Sequence, residues 1–161
     1  MCNPTEHFER HSLQSIDGIS FKLKRAYDFN FLSEYGTVFR AYDDQDSGNI
    51  CFGTEKNGRR YFIKFAGAPT ERYNGDPADA IARLKAAVPV YSELHHENLI
   101  ELVDARAVGG GFAMVFKWAP GDCMGRMYPA AHQRFMQLPT RARLTVFRDI
   151  LNFFEYIAAQ S

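Results

Sequence analysis

The chain has 161 residues, of which 46% are hydrophobic and 24% charged, enough to fold one domain around a sizeable core. Nineteen Lys and Arg balance nineteen Asp and Glu; a surface without net charge speaks against nucleic acid or an anionic membrane as main partner, since both reward a basic face. No apolar run approaches the ~20 residues of a membrane span, and residues 1–10 carry no apolar stretch of signal-peptide type. Cys2, Cys51 and Cys123 are odd in number and far apart. That pattern suits neither a zinc site nor a disulfide framework and is expected of reduced thiols in a cytoplasmic protein.

In chain order, residues 1–20 lack periodicity and read as a loose arm. Residues 19–68 are rich in strand signals. Tyr35-Gly36-Thr37-Val38-Phe39-Arg40-Ala41-Tyr42 is aromatic and β-branched and reads as a strand. The polar run from Asp43 to Asn49 is a turn by composition. Residues 50–55 and 59–65 read as two strands around Asn57-Gly58, a dipeptide that supplies the positive φ angles of a tight hairpin. A polar loop follows. Asp76 then caps a helix that has Pro77 at its first position; Ala80, Ile81, Leu84, Ala87 and Val88 keep helical spacing, and Pro89 kinks or splits it. Residues 99–108 and 111–118 form a second hairpin around Gly109-Gly110-Gly111, Pro120-Gly121 breaks the chain, and a last helix runs from about Pro139 to Ala159. This order is that of an α+β chain with an antiparallel sheet.

The last helix carries two apolar stripes, Leu144, Phe147, Leu151, Phe154 and Ala158, and Val146, Ile150, Phe153 and Ile157. A helix apolar nearly all round is built for burial on both sides. Self-association through residues 140–159, or a longer parent protein that covers them, is therefore expected. His95 and His96 are adjacent, so they do not share a face, and no third ligand stands at metal spacing.

Several segments in a row resemble the protein-kinase fold. Tyr61-Phe62-Ile63-Lys64 is similar to the strand ending in the kinase lysine, the Val-Ala-Ile-Lys position. His95-His96-Glu97-Asn98-Leu99-Ile100 resembles the family's His-Pro-Asn-Ile turn. The run Phe112-Ala113-Met114-Val115-Phe116-Lys117-Trp118-Ala119-Pro120-Gly121 resembles the fifth strand and hinge, and residues 143–161 resemble the long helix ahead of the catalytic loop. Five strands with one helix between the third and fourth is the order of a kinase small lobe. The resemblance implies a loose arm over 1–20, a kinase-like small lobe over 21–118, and a hinge with the first helices of a truncated large lobe over 119–161.

It also implies a site for ATP with Mg²⁺. Lys64 would stand beside the α- and β-phosphates. Gly48-Asn49-Ile50 takes the place of the last Gly-x-Val of the glycine-rich loop, with Gly48 and Ile50 next to the nucleotide; a second register would use Gly36. Phe116 would close the back of the pocket, backbone groups of Lys117, Trp118 and Ala119 would hold adenine, and Asp122 would either meet the ribose or cap a following helix.

There are departures from the family pattern. Asp43 and Gln45 replace the two earlier loop glycines, and Asp43, Asp44 and Asp46 bring negative charge toward a polyanion. The helix glutamate that pairs with the lysine reads Ala87; Glu71, in the preceding loop, is a candidate substitute. Asp28-Phe29-Asn30 only echoes the magnesium motif. No His-Arg-Asp and no Asp-Phe-Gly sequence occurs in the chain, so no catalytic residue and no magnesium ligand is assigned in it. The implied function is the ATP-binding front part of a serine/threonine protein-kinase-like phosphotransferase with a protein substrate; the 161 residues alone are expected to be inactive. The alternative is a pseudokinase-like scaffold that binds a partner without phosphotransfer, and a third reading is an α+β domain unrelated to kinases.

Overall fold

The structure, a computed structural model, describes residues 12–121, 124 and 128–160. They fall into two compact units, one drawn from residues 1–92 and 101–118 and the other from 93–100 and 119–161.

The first unit is α+β. It opens with a hairpin of β1 (Ser12–Ile16) and β2 (Ile19–Leu23). This corrects the expected loose arm over its second half. The turn is made by Asp17 and Gly18, both at positive φ, and β2 turns Phe21 and Leu23 into the core. A 3-10 helix at Asn30–Tyr35 follows, its start fixed by Asp28 Oδ1, which accepts from the Asn30 N–H at 2.8 Å. The Asp-Phe-Asn echo is thus a local side-chain turn just ahead of the helix, whose N-cap is Phe29. It also shortens the next strand to β3 (Thr37–Tyr42).

β4 (Asn49–Lys56) and β5 (Arg59–Ala66) meet at Asn57-Gly58, with φ of 53° and 73°, the left-handed pair that a two-residue hairpin demands. α1 (Pro77–Ala86) starts where expected, with the Asp76 carboxylate accepting from the Ala78 N–H at 2.8 Å. The helix is split near Pro89, as expected: α1 ends at Ala86 and α2 (Val88–Glu93) begins anew with Pro89 at its second position. The second hairpin joins β6 (Leu102–Val108) to β7 (Gly111–Lys117).

Five strands form one antiparallel sheet in the order β3-β4-β5-β7-β6. β5 is the middle strand, and the helical segment is inserted between the third and fourth strands of the sheet in chain order. One sheet face packs under the N-terminal hairpin and the 3-10 helix through Val38, Ile50, Phe52, Ile63, Phe65, Ala113 and Val115. Phe21, Phe29 and Phe52 meet edge to face there, with centroids 5.1–5.6 Å apart, the arrangement that ring quadrupoles favour.

The second unit holds α3 (Pro129–Gln137), which the sequence did not announce as a separate helix, and α4 (Thr140–Ala158), which it did. Phe135 and Phe147 join them, with centroids 6.2 Å apart. The His96 ring lies 5.3 Å from Phe153 and 5.0 Å from Tyr156, and its Nδ1 accepts from the Asn98 N–H. That histidine packs and caps. The stripe Leu144, Phe147, Leu151 and Phe154 stays more than half exposed on α4. No helix among the described residues is long and apolar enough to cross a membrane.

Candidate functional site

Side chains of paired antiparallel residues share a face, and alternate residues return to it. Lys64 stands opposite Cys51 on β4 and Met114 on β7; two residues earlier, Phe62 stands opposite Gly53 and Phe116. These six residues therefore line one face of the sheet, the one turned away from the N-terminal hairpin. α1 lies on the same face, with Lys85 Nζ 5.5 Å from the Phe112 ring.

Lys64 is half-buried on the middle strand. Among the described residues of its unit no carboxylate pairs with it; Ala87, in the helix position where the resemblance calls for glutamate, is the C-cap of α1. Burial of Cys51 pushes its thiol up to about 12, against a smaller downward pull from the Lys64 ammonium. A thiol held there is neutral and inert. In a chain carrying Cys2→Ser and Cys123→Ser, a thiol reagent at pH 8 is expected to modify Cys51 only after denaturant is added. The sign of the pH effect follows: the raised thiol supports folding fully below its ordinary value of 9.0, and that support is lost as pH rises from about 9 to about 12. Rapid native labelling at pH 8 would contradict the burial.

The connection between β3 and β4, residues 43–48, lies at the Lys64 end of the sheet, because Asn49 pairs with Ala66 and Cys51 with Lys64. Gly36 lies at the other end, beside Glu55. Gly48 has φ +79°, and an added Cβ would stand 2.8 Å from both the Ala80 Cβ and the Tyr73 ring, so only glycine lets the loop seat against α1. Two of the loop's acids are already engaged. Asp43 accepts from the Lys22 N–H at 2.7 Å, and Asp44 pairs with Arg72 at 2.5 Å. Arg83 holds the Ser47 carbonyl at 3.2 Å. The charge that the sequence turns toward a polyanion is thus partly neutralised.

Ile50 is not brought to Lys64. It is fully buried in the opposite face, opposite Phe65. A one-residue offset inverts a strand's faces, and Cys51 holds the place beside Lys64. At the other end, Phe116 is buried next to the Tyr91 ring, with centroids 5.0 Å apart. The Lys117 N–H donates to the Glu101 carbonyl at 2.9 Å and the Trp118 N–H to the Arg60 carbonyl at 3.1 Å, so both amides are committed to the sheet. Ala119 is exposed and belongs to the second unit; Asp122 lies outside the described residues, as do most of the residues that follow it up to Tyr128.

Sequence reasoning missed the aromatic layer over this face. Phe39 reaches it through a bulge between Val38 and Arg40, and its ring lies 5.0 Å from Trp118. It also missed a cavity of about 630 Å³ on the other side of the unit, lined in part by Gln14, Asp17, Tyr27 and Asp28. Their polar groups serve the fold: Gln14 clamps both backbone groups of Tyr27, and Asp17 accepts from the Val38 N–H. Among the described residues no group of three or more His, Cys, Asp or Glu is placed to hold a metal ion.

No model of a known protein family matches the chain, and no curated protein matches it significantly.

Proposed function

We propose that this chain is the ATP-binding part of a protein-kinase-like phosphotransferase of serine/threonine type, with the Lys64 face as its nucleotide face. One observation carries the reading: Lys64 lies on the middle strand of a five-stranded antiparallel sheet with its helix inserted between the third and fourth strands, and the 43–48 loop closes the sheet at the Lys64 end. A cation fixed on a rigid central strand suits the α- and β-phosphates. Mg²⁺ would arrive on the phosphates, and the chain's own contribution is to hold the nucleotide. Protein substrate and phosphoryl transfer are part of the proposal through the kinase resemblance alone, and no residue here is given a catalytic role.

Titration of Mg·ATP by calorimetry, beside Lys64→Met, tests this. Loss of a partly buried cation next to a polyanion is expected to weaken binding about tenfold or more. Equal affinities for two folded proteins would contradict the role of Lys64.

A second reading, a pseudokinase-like scaffold, is favoured by Ala87 in the glutamate's place and by Lys64 having no carboxylate partner among the described residues of its unit. The exposed α4 stripe, with self-association as its proposed use, would then be its working surface. Folded protein without any nucleotide affinity would select it.

A further inference from the structure

A nucleotide on this face has a fixed path. With its phosphates at Lys64 and its purine at the Lys117–Trp118 end of the face, it runs from the Lys64–Met114 pair toward the Tyr61–Lys117 pair, three residues or about 10 Å along the sheet. Between those ends it must lie over Phe62 and Gly53, which face each other across β4 and β5.

That space is taken by the protein itself. A Cβ built on Gly53 would come within 2.8 Å of the Phe39 ring and 2.9 Å of the Trp118 ring. Both rings therefore rest directly on the Gly53 backbone. Phe39 and Trp118 meet edge to face at 5.0 Å, and Phe62 closes the group, 6.4 Å from Trp118 and 6.3 Å from Phe116. The Arg60 guanidinium lies over the Phe39 ring at 5.0 Å and is itself held by Glu55 at 2.6 Å, which pins the outer edge by a cation–π contact. Phe62 also falls on the alanine of the Val-Ala-Ile-Lys pattern, so a ring stands two residues before the lysine where that pattern has a methyl. A glycine below and three rings above make a filled socket.

We infer that Phe39, Phe62 and Trp118 form an aromatic plug that closes the purine end of the nucleotide face, so that Phe62 and Trp118 set nucleotide affinity by exclusion. This rests on the reading of the Lys64 face given above. The plug acts against the purine and ribose; the phosphate end at Lys64 stays outside it. Nucleotide entry requires the rings to swing off Gly53, and the energy of unstacking them is subtracted from the affinity.

Mg·ATP is titrated by calorimetry into the full chain and into Phe62→Ala, Trp118→Ala and Phe62→Ala/Lys64→Met, with near-ultraviolet circular dichroism confirming the fold of each. Trp118→Ala stands in should Phe62→Ala fail to fold, since Trp118 lies beyond the end of β7. Removing either ring is expected to tighten binding by about tenfold, the scale of one or two aromatic pairs unstacked, and Lys64→Met is expected to abolish that gain. Mg·triphosphate, which has no purine, is expected to bind the parent and the ring variants alike. Unchanged or weaker ATP binding in the folded ring variants, with Lys64→Met still harmful, would overturn the plug and leave the Lys64 face standing. No ATP or triphosphate binding to any folded variant would overturn both.

Discussion

Gly36→Ala is expected to destabilise the first unit by about 3 kcal/mol, lowering its melting midpoint by about 12 °C. Gly36 has φ +96° and ψ −151°, a region that side chains other than glycine's hydrogen rarely enter, at a strain of about 1–3 kcal/mol. Space adds a second penalty, because a Cβ there would stand 2.1 Å from the Glu55 carbonyl oxygen and 2.6 Å from its carbon. Those are backbone atoms of β4, so relief requires the strand to move. The Gly36 N–H also closes the 3-10 helix on the Ser33 carbonyl at 3.3 Å, which fixes where β3 begins. Thermal and urea unfolding would show the loss. A midpoint equal to the parent's would mean that β3 and β4 do not approach as described.

Phe52→Ala is expected to lower stability by about 3–5 kcal/mol. Phe52 is fully buried on β4, and its ring meets Phe21 and Phe29 edge to face at 5.4 and 5.1 Å. It thus joins the sheet to both the N-terminal hairpin and the segment before the 3-10 helix. Alanine removes those contacts and leaves a cavity bounded by rings that cannot collapse into it. Phe52→Leu keeps most of the volume and should lose only about 1–2 kcal/mol. A loss below about 1 kcal/mol for alanine would mean that the core is not centred there.

The fold beyond the N-terminal hairpin and 3-10 helix was the more legible. Asn57-Gly58 sets its own hairpin through the φ angles it allows, Asp76-Pro77 starts its helix through a side-chain cap, and the long α4 pattern persists over five turns; each is a local signal, so local reasoning reaches it. The N-terminal hairpin was not legible, because its turn is Asp17-Gly18 inside a segment whose strands are only five residues each, and β1 turns Leu13 outward and Gln14 inward, against their polarity. Tyr35 read as strand from its β propensity, yet it ends the 3-10 helix. There its hydroxyl donates to Asp104 at 2.8 Å, and the long-range bond outweighs propensity.

The placement of the candidate site's residues was legible in part. Lys64 on a central strand follows from the apolar residues around it, and the placement of Gly48 follows from its position in the β3–β4 turn. Ile50 failed because counting from a motif gives spacing but not parity: the pairing of Cys51 with Lys64 sets the face. The plug was invisible for a related reason. Phe39, Gly53, Phe62 and Trp118 lie on four different strands or strand ends, and only the bulge after Val38 aims Phe39 at Gly53.

The most direct test uses an acyl phosphate of ATP, which transfers its acyl group to an amine lying beside the bound phosphates. The Phe62→Ala chain is treated with this reagent and Mg²⁺, with and without excess ATP, and each lysine is quantified by peptide mass spectrometry. Acylation concentrated on Lys64 and suppressed by ATP is the expected result. Acylation spread over exposed lysines such as Lys56 and Lys85, unchanged by ATP, would contradict a nucleotide face at Lys64.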